Sequence, residues 1–378
     1  MKRVAILLLP LLFLAIVYTI AKISAYAITA TPISSLEASK LRQKALDAGF
    51  RPIPTDPKKL LHLIDTPDNP LNTAKVQLGK ELYFDPTLSK DGTVSCASCH
   101  NIEAGGDDGL PTAIGYRQQS NPYHLNSPTV LNAALQKFQF WDGRAKSVEE
   151  QAAGPIQAPF EMASSPDEVV QKVAANSHYK ELFKKAFGNS KITFDRITKA
   201  IGAYERTLLT PARFDKFLEG NLSALNEKER RGLELFINVG CKACHFGRSI
   251  GGLLIQKFPM NPYNFSIYPK FGIHGSRYYF KEIAIDPNVT ASPYPFENLG
   301  HYYGKNNAKR FKVPILRNIT KTAPYFHNGS VKDLKEAIRI MAKYQRNIDL
   351  NKDQIEAIEA FLGSLAGEIV DFNLSEAS

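Results

Sequence analysis

The sequence predicts a mainly α-helical chain made of two similar domains, and three observations carry that expectation. Apolar residues recur at helical spacing in several segments, as in Phe194, Ile197, Ile201, Tyr204 and Leu208. A glycine, any residue, glutamate, leucine and an aromatic occur in that order twice, as Gly79-Lys80-Glu81-Leu82-Tyr83 and Gly232-Leu233-Glu234-Leu235-Phe236. Each copy is followed by a Cys-x-x-Cys-His string, and the offsets differ slightly, so the repeat is approximate.

Those strings hold every cysteine of the chain. They read Cys96-Ala97-Ser98-Cys99-His100 and Cys241-Lys242-Ala243-Cys244-His245. Two thiols one helical turn apart can add to the two vinyl groups of one porphyrin, and the next residue's imidazole can then reach the iron. A thioredoxin-like pair needs one Cys-x-x-Cys and no histidine, and short-range disulfides need none either. A zinc site would draw the two pairs together as four ligands. With 8 histidines in the chain, one follows both pairs by chance less than roughly once in a thousand sequences. The strings therefore predict two covalently attached haems of the c type. Cys96 and Cys99 hold the first, with His100 on its iron, and Cys241 and Cys244 hold the second, with His245 on its iron. The fold class becomes two cytochrome c-like domains, each with one attached haem, joined face to face.

The 378 residues suffice for two cores of ordinary size, and 44% hydrophobic with 22% charged residues leave little room for global disorder. Lys2 and Arg3 precede an apolar run from Val4 to Ala21, and Ala25-Tyr26-Ala27 follows as a small-residue cleavage site. That is the pattern of a secretory signal, and a run of about 18 residues also meets the lower limit for a membrane anchor. Either outcome puts the folded part outside the cytoplasm, in the periplasm, soluble or tethered to the inner membrane. A net charge of +10, three units of it in that leader, suits an acidic protein partner or a membrane surface. No basic stripe interleaved with aromatics appears, so nucleic acid is not an expected partner.

The elements follow in order. Residues 1–27 are the signal or anchor, and 28–71 a linker and arm with one short helix from Leu36 to Ala48. Residues 72–220 form the first haem domain, with a glycine-rich loop at Gly105-Gly106-Asp107-Asp108-Gly109 and helices over 167–187 and 194–209. Residues 221–367 form the second, opened by a helix that Asn226 caps with Glu229 at the capping-box position. Residues 246–312 lack periodicity and read as an ordered loop system. Helices over 331–344 and 351–365 show apolar faces at Leu334, Ile338 and Met341, and at Ile355, Ile358, Phe361, Leu362 and Leu365; residues 368–378 are a tail.

Beyond the haem strings, Phe140-Trp141-Asp142-Gly143-Arg144-Ala145, Glu150-Gln151-Ala152, Gly154-Pro155, Glu161-Met162, Leu316-Arg317-Asn318 and Thr322-Ala323-Pro324-Tyr325-Phe326-His327 stand collinearly along the chain. With them the sequence resembles the bacterial dihaem cytochrome c peroxidases from about residue 75 to residue 367. The resemblance implies a peroxidatic first haem and a high-potential second haem whose sixth ligand is Met341. It implies that Trp141 lies between the haems and assists electron transfer. Glu161 would stand over the peroxidatic iron as the proton shuttle, and Gln151 would orient peroxide or the glutamate. A carboxyl group with its pKa lifted by an apolar pocket suits the shuttle. One calcium ion between the domains is implied, with Asn126 and the backbone carbonyls of Thr322 and Pro324 as the matching positions. So are hydrogen peroxide as substrate, a small cytochrome c or cupredoxin as electron donor, and a homodimer.

The pattern departs at one place. Much of the family has a histidine in the loop after the first haem site, capping the resting iron. Here Thr112-Ala113-Ile114-Gly115 leads into Tyr116, and two extra residues precede Asn126-Ser127-Pro128-Thr129. His124 in the longer loop and Tyr116 are the two candidates for that position, and an open iron is the third reading. A related branch that oxidises residues of a partner protein carries tyrosine in place of the second haem's methionine, which Met341 argues against. A non-enzymatic electron carrier or redox sensor would have no need of the Gln151 and Glu161 pair.

Overall fold

The structure, a computed structural model, describes residues 35–260 and 295–371. The leader and part of the aromatic-rich loop expected over 246–312 fall outside them. What is described is mainly helical, with one small antiparallel pair, β1 (Ile255–Lys257) and β2 (Arg310–Lys312), where Gln256 faces Phe311.

Helix α3 (Thr73–Phe84) starts at Asn72, whose side chain accepts from the Lys75 N–H. It crosses α8 (Phe194–Thr207) at Gly79, where a Cβ would stand 1.9 Å from the Ala200 carbonyl oxygen. The later half repeats this joint. Helix α10 (Glu227–Val239) opens on the reciprocal Asn226–Glu229 cap expected from the sequence and crosses α12 (Lys352–Gly363) at Gly232. A Cβ there would stand 1.8 Å from the Ala357 carbonyl oxygen. Because backbone cannot yield cheaply, Gly232→Ala is expected to cost at least about 1–3 kcal/mol in denaturant unfolding. A change near zero would contradict so close a crossing.

Around each joint lies a core. Leu78, Leu82, Ile197 and Ile201 pack with Val169 of α6 (Pro166–Ala175) and Phe183 of α7 (Ser177–Phe187). In the other, Leu233, Phe236, Phe361 and Leu362 meet Phe214 and Phe217 of α9 (Arg213–Leu218). Helix α1, over residues 35–47, and Phe50 pack into this second core. Phe50 meets Phe214 edge to face at 5.6 Å, and Phe214 meets Phe361 at 5.2 Å.

The duplication runs further than the sequence repeat. Asn132 and Asn318 both adopt left-handed backbone, at φ 59° and 57°, and each leads into a short 3-10 turn (Ala133–Leu135 and Ile319–Lys321). Both side-chain amides donate to one hydroxyl, Thr210 Oγ1, at 2.7 and 2.8 Å. A hydroxyl oxygen can accept both. Phe140 and Phe326 repeat the correspondence at φ 63° and 68°, placing Trp141 and His327 at equivalent positions.

One buried ion pair fastens these parts. Arg317 donates to both carboxylate oxygens of Asp215 at 2.8 and 2.6 Å, with neither side chain exposed. The same carboxylate accepts from the N–H groups of Ile53 and Ala212, joining the arm and α9 to the loop before α11 (Leu334–Arg346).

Two helical expectations need correction. The stretch 167–187 is two helices, because Asn176 leaves the helical region at ψ 116° and caps α7 by accepting from the His178 N–H. In the arm, α2 (Pro57–Ile64) was not foreseen; Asp56 caps it and Pro57 sits in its first turn, where its missing N–H costs nothing.

Candidate active site

The first Cys-x-x-Cys string forms a single helical turn, α4 (Cys96–Cys99), in which the Ser95 N–H bonds the Ser98 hydroxyl. His100 follows immediately. Its carbonyl accepts from the buried Tyr83 hydroxyl at 2.7 Å, and its Nδ1 lies 3.3 Å from the Gly106 carbonyl oxygen. Gly105 and Gly106, at φ 106° and 82°, turn the glycine-rich loop back to supply that carbonyl. An imidazole whose Nδ1 is held by a carbonyl keeps Nε2 for a metal. The second string repeats this: a 3-10 turn at Cys241–Ala243, then the buried His245 with Nδ1 3.3 Å from the Ile250 carbonyl oxygen. Burial lowers the pKa of both histidines, that of His245 to about 4. Both rings are therefore neutral at pH 7, as ligation requires.

The four thiols form no disulfide. Among the described residues no three His, Cys, Asp or Glu side chains converge on a metal position, so the two pairs do not share one zinc ion. Burial pushes the Cys241 thiol up to about 12, and Cys99 likewise, with the charges of Asp108 and Glu161 adding to the rise at Cys99. Such thiols are not nucleophilic thiolates at neutral pH.

A cavity of about 230 Å³ opens beside the second string. Cys241, Cys244, His245 and Met341 line it among apolar side chains, and Trp141 stands at its wall. Thioether-forming thiols, an imidazole, a thioether and apolar walls in one cavity make a donor set and a lining that fit a covalently held haem.

Glu161 lies in the turn after α5 (Val148–Gln157), the helix that carries Gln151. Burial raises its carboxyl pKa, and the Arg144 guanidinium pulls part of the way back. Arg144 is held over the Phe140 ring at 3.4 Å and paired with Asp142 at 3.0 Å. Gly115 packs against the Glu161 backbone, and Cys99 Sγ lies 3.8 Å from the carbonyl of the preceding Ile114, so Glu161 stands beside the first attachment string. The Tyr116 N–H donates to the Glu161 carbonyl at 2.7 Å, so the loop after the first string lies against the glutamate's backbone. The His124 loop reaches the same turn through Tyr123, whose ring meets Phe160 at 6.0 Å. His124 takes φ 49°, and its Nδ1 is buried without a hydrogen-bond partner.

Asn126 ties the two halves together. Its N–H donates to the His327 carbonyl, its own carbonyl accepts from Trp141 Nε1 at 2.8 Å, and its side-chain amide donates to the Pro324 carbonyl at 2.6 Å. Its Oδ1 is buried without a partner. Half a turn of the amide would set that oxygen among the same carbonyls, an oxygen-rich arrangement that suits a hard cation. Thr322 and Pro324 line the same cavity.

Three features escaped the sequence reading: the Arg317–Asp215 pair, the shared Thr210 hydroxyl and a buried lysine, Lys312, on the cavity wall. The shared Thr210 hydroxyl had a signal in Asn132 and Asn318, each followed eight residues later by a phenylalanine, Phe140 or Phe326. Nothing in composition marks Lys312.

Comparison with known proteins agrees. Residues 73–223 match the family described as di-haem cytochrome c peroxidase. A cytochrome c551 peroxidase of Nitrosomonas europaea is 44% identical over 81% of this chain and 84% of its own length. One from Pseudomonas aeruginosa is 38% identical over 90% and 89%. The crystal structure of a MauG-like protein associated with microbial copper homeostasis superposes with a TM-score of 0.61 at 27% identity, over 81% of this chain and 94% of that one. With two attachment strings, an apolar lining beside the second and relatives of this identity, the chain belongs to the di-haem cytochrome c peroxidase family and is an enzyme of the cytochrome-c peroxidase class.

Proposed function

We propose that the chain reduces hydrogen peroxide to two waters, taking two protons and two electrons per peroxide, at the haem held by Cys96, Cys99 and His100. The electrons come from a small periplasmic cytochrome c or cupredoxin through the haem held by Cys241, Cys244, His245 and Met341. The single observation that carries this is a half-buried carboxyl group with a raised pKa, Glu161, beside the first attachment string.

Bound haem supplies the iron on which peroxide is activated and an electron store at each site. The protein's own groups do the rest. Glu161 accepts a proton from the bound peroxide and returns it to the departing oxygen, a transfer its raised pKa favours near neutral pH. Gln151, on the helix leading into that turn, orients the oxidant or the glutamate by hydrogen bonding. Trp141 joins the two halves, since its indole N–H is fixed on Asn126 while its carbonyl accepts from the Lys312 N–H at 2.7 Å. It thereby bridges the loop after the first haem and the wall of the second haem's cavity. His124 and Tyr116 would be the two residues able to cap the resting first iron, an open iron being the third reading, and their loop's packing on the Glu161 turn would make departure of such a cap a motion of that loop. A calcium ion held by Asn126 and the carbonyls of Thr322 and Pro324 would stiffen the same junction. The two haem domains run over residues 72–220 and 221–367. The chain acts in the periplasm as a homodimer, soluble or tethered to the inner membrane by its N-terminal segment; among the described residues no helix is long and apolar enough to cross a membrane.

The test is direct. Purified holoenzyme, first half-reduced, is mixed with reduced small cytochrome c and peroxide. Two molecules of cytochrome oxidised per peroxide consumed is the expected stoichiometry. No oxidation above the rate without enzyme would leave an electron carrier as the better reading.

A further inference from the structure

Lys312 is 2% exposed and sits on the wall of the cavity beside Cys241 and Cys244. Its Nζ donates to Gln136 Oε1 at 2.8 Å, which uses one of three ammonium donors. No carboxylate among the described residues pairs with it, and burial lowers its pKa to about 8. A buried ammonium without an anion is costly, and proteins rarely keep one without a counter-charge. The cavity lining deepens the imbalance. Among the described residues it includes two cationic side chains, Lys312 and Arg346, and no aspartate or glutamate. Arg346 is largely engaged, since its Nε donates to the Val239 carbonyl at 3.0 Å and its guanidinium lies against Gly240 at the cysteine end. Lys312 is anchored elsewhere, to Gln136 and, through its backbone, to Trp141.

A porphyrin attached through its vinyl groups carries two carboxylates on its other edge. The cavity thus offers the remaining donors of this ammonium to a ligand that is anionic at the edge away from the cysteines. We propose that the Lys312 ammonium is the counter-ion of a carboxylate of the second haem and raises that haem's reduction potential. A fixed positive charge in a low-dielectric wall favours the less positive, reduced state of the iron. Lys312 also bonds the Trp141 carbonyl through its backbone, so the charge that tunes the second haem is seated where the indole bridges the halves. The inference rests on the reading of this cavity as the second haem site.

The experiment is spectroelectrochemical titration of the holoenzyme as wild type, Lys312→Met and Lys312→Arg, with haem content measured by mass spectrometry. In Lys312→Met the reduction equilibrium of the second haem is expected to shift at least about tenfold toward the oxidised form, about 59 mV for a one-electron couple. The first haem should move far less, and Lys312→Arg should stay near wild type. Should Lys312→Met fail to retain the second haem, Lys312→Arg decides: retention at the wild-type potential supports the counter-ion, whereas a tenfold shift with arginine overturns it. A Lys312→Met potential within about threefold of wild type, with both haems attached, also overturns it. Absence of haem at Cys241 and Cys244 in the wild type is a different failure, that of the site reading itself.

Discussion

Replacing Glu161 by glutamine is expected to lower peroxide turnover by about two to four orders of magnitude while both haem spectra stay intact, the range by which a positioned general acid–base group contributes. Glutamine keeps the shape and much of the polarity of the side chain but cannot carry a proton out and back. A pH profile separates this role from a structural one. The glutamate must begin ionised, and burial holds its pKa above the ordinary carboxylate range. Activity therefore falls as pH drops through that raised value, rather than near pH 4 where a solvated glutamate titrates. Arg144 works in the opposite sense, so Arg144→Gln removes its pull, lifts the Glu161 pKa further and moves the acid limb to higher pH. Full activity in Glu161→Gln, or an acid limb unmoved in Arg144→Gln, would contradict the shuttle.

Arg317→Met is expected to destabilise the holoenzyme by about 3–5 kcal/mol, seen as a lower guanidinium midpoint, because it leaves the Asp215 carboxylate buried and unpaired. Neither partner has any exposed side-chain surface, so solvent cannot replace the lost guanidinium. Asp215 also holds the arm at Ile53 and the start of α9 at Ala212. Loosening should therefore reach both, and earlier proteolysis of the arm than in wild type is the accompanying sign. A loss below about 1 kcal/mol would mean that the pair contributes little beyond the hydrogen bonds Asp215 keeps.

Much of this molecule was legible in its sequence because the chemistry is written in short strings. Cys-x-x-Cys-His carries its spacing with it, and the repeated glycine before each string marked the two close helix crossings at Ala200 and Ala357. The Asn226 cap was readable for the same reason, since its signal is local. What stayed hidden depends on partners distant in the chain. Arg317 and Asp215 are separated by 102 positions, and only folding reveals that one aspartate serves the arm, α9 and the arginine together. The break at Asn176 was missed because apolar periodicity continues across it, and a capping side chain interrupts the backbone without interrupting the pattern. Lys312 looked like any lysine of a basic chain until its burial against the cavity was seen.

The central claim is that two irons of unequal character sit on one polypeptide, one saturated by His245 and Met341 and the other open toward peroxide beside Glu161. Potentiometric titration of the purified holoenzyme, followed in the visible spectrum, tests it most directly. Two porphyrins per chain and two separate one-electron steps are predicted, the upper step losing its thioether-ligated spectrum in Met341→Leu while the lower step stays. A single step, a single porphyrin, or an upper step indifferent to Met341 would contradict the account.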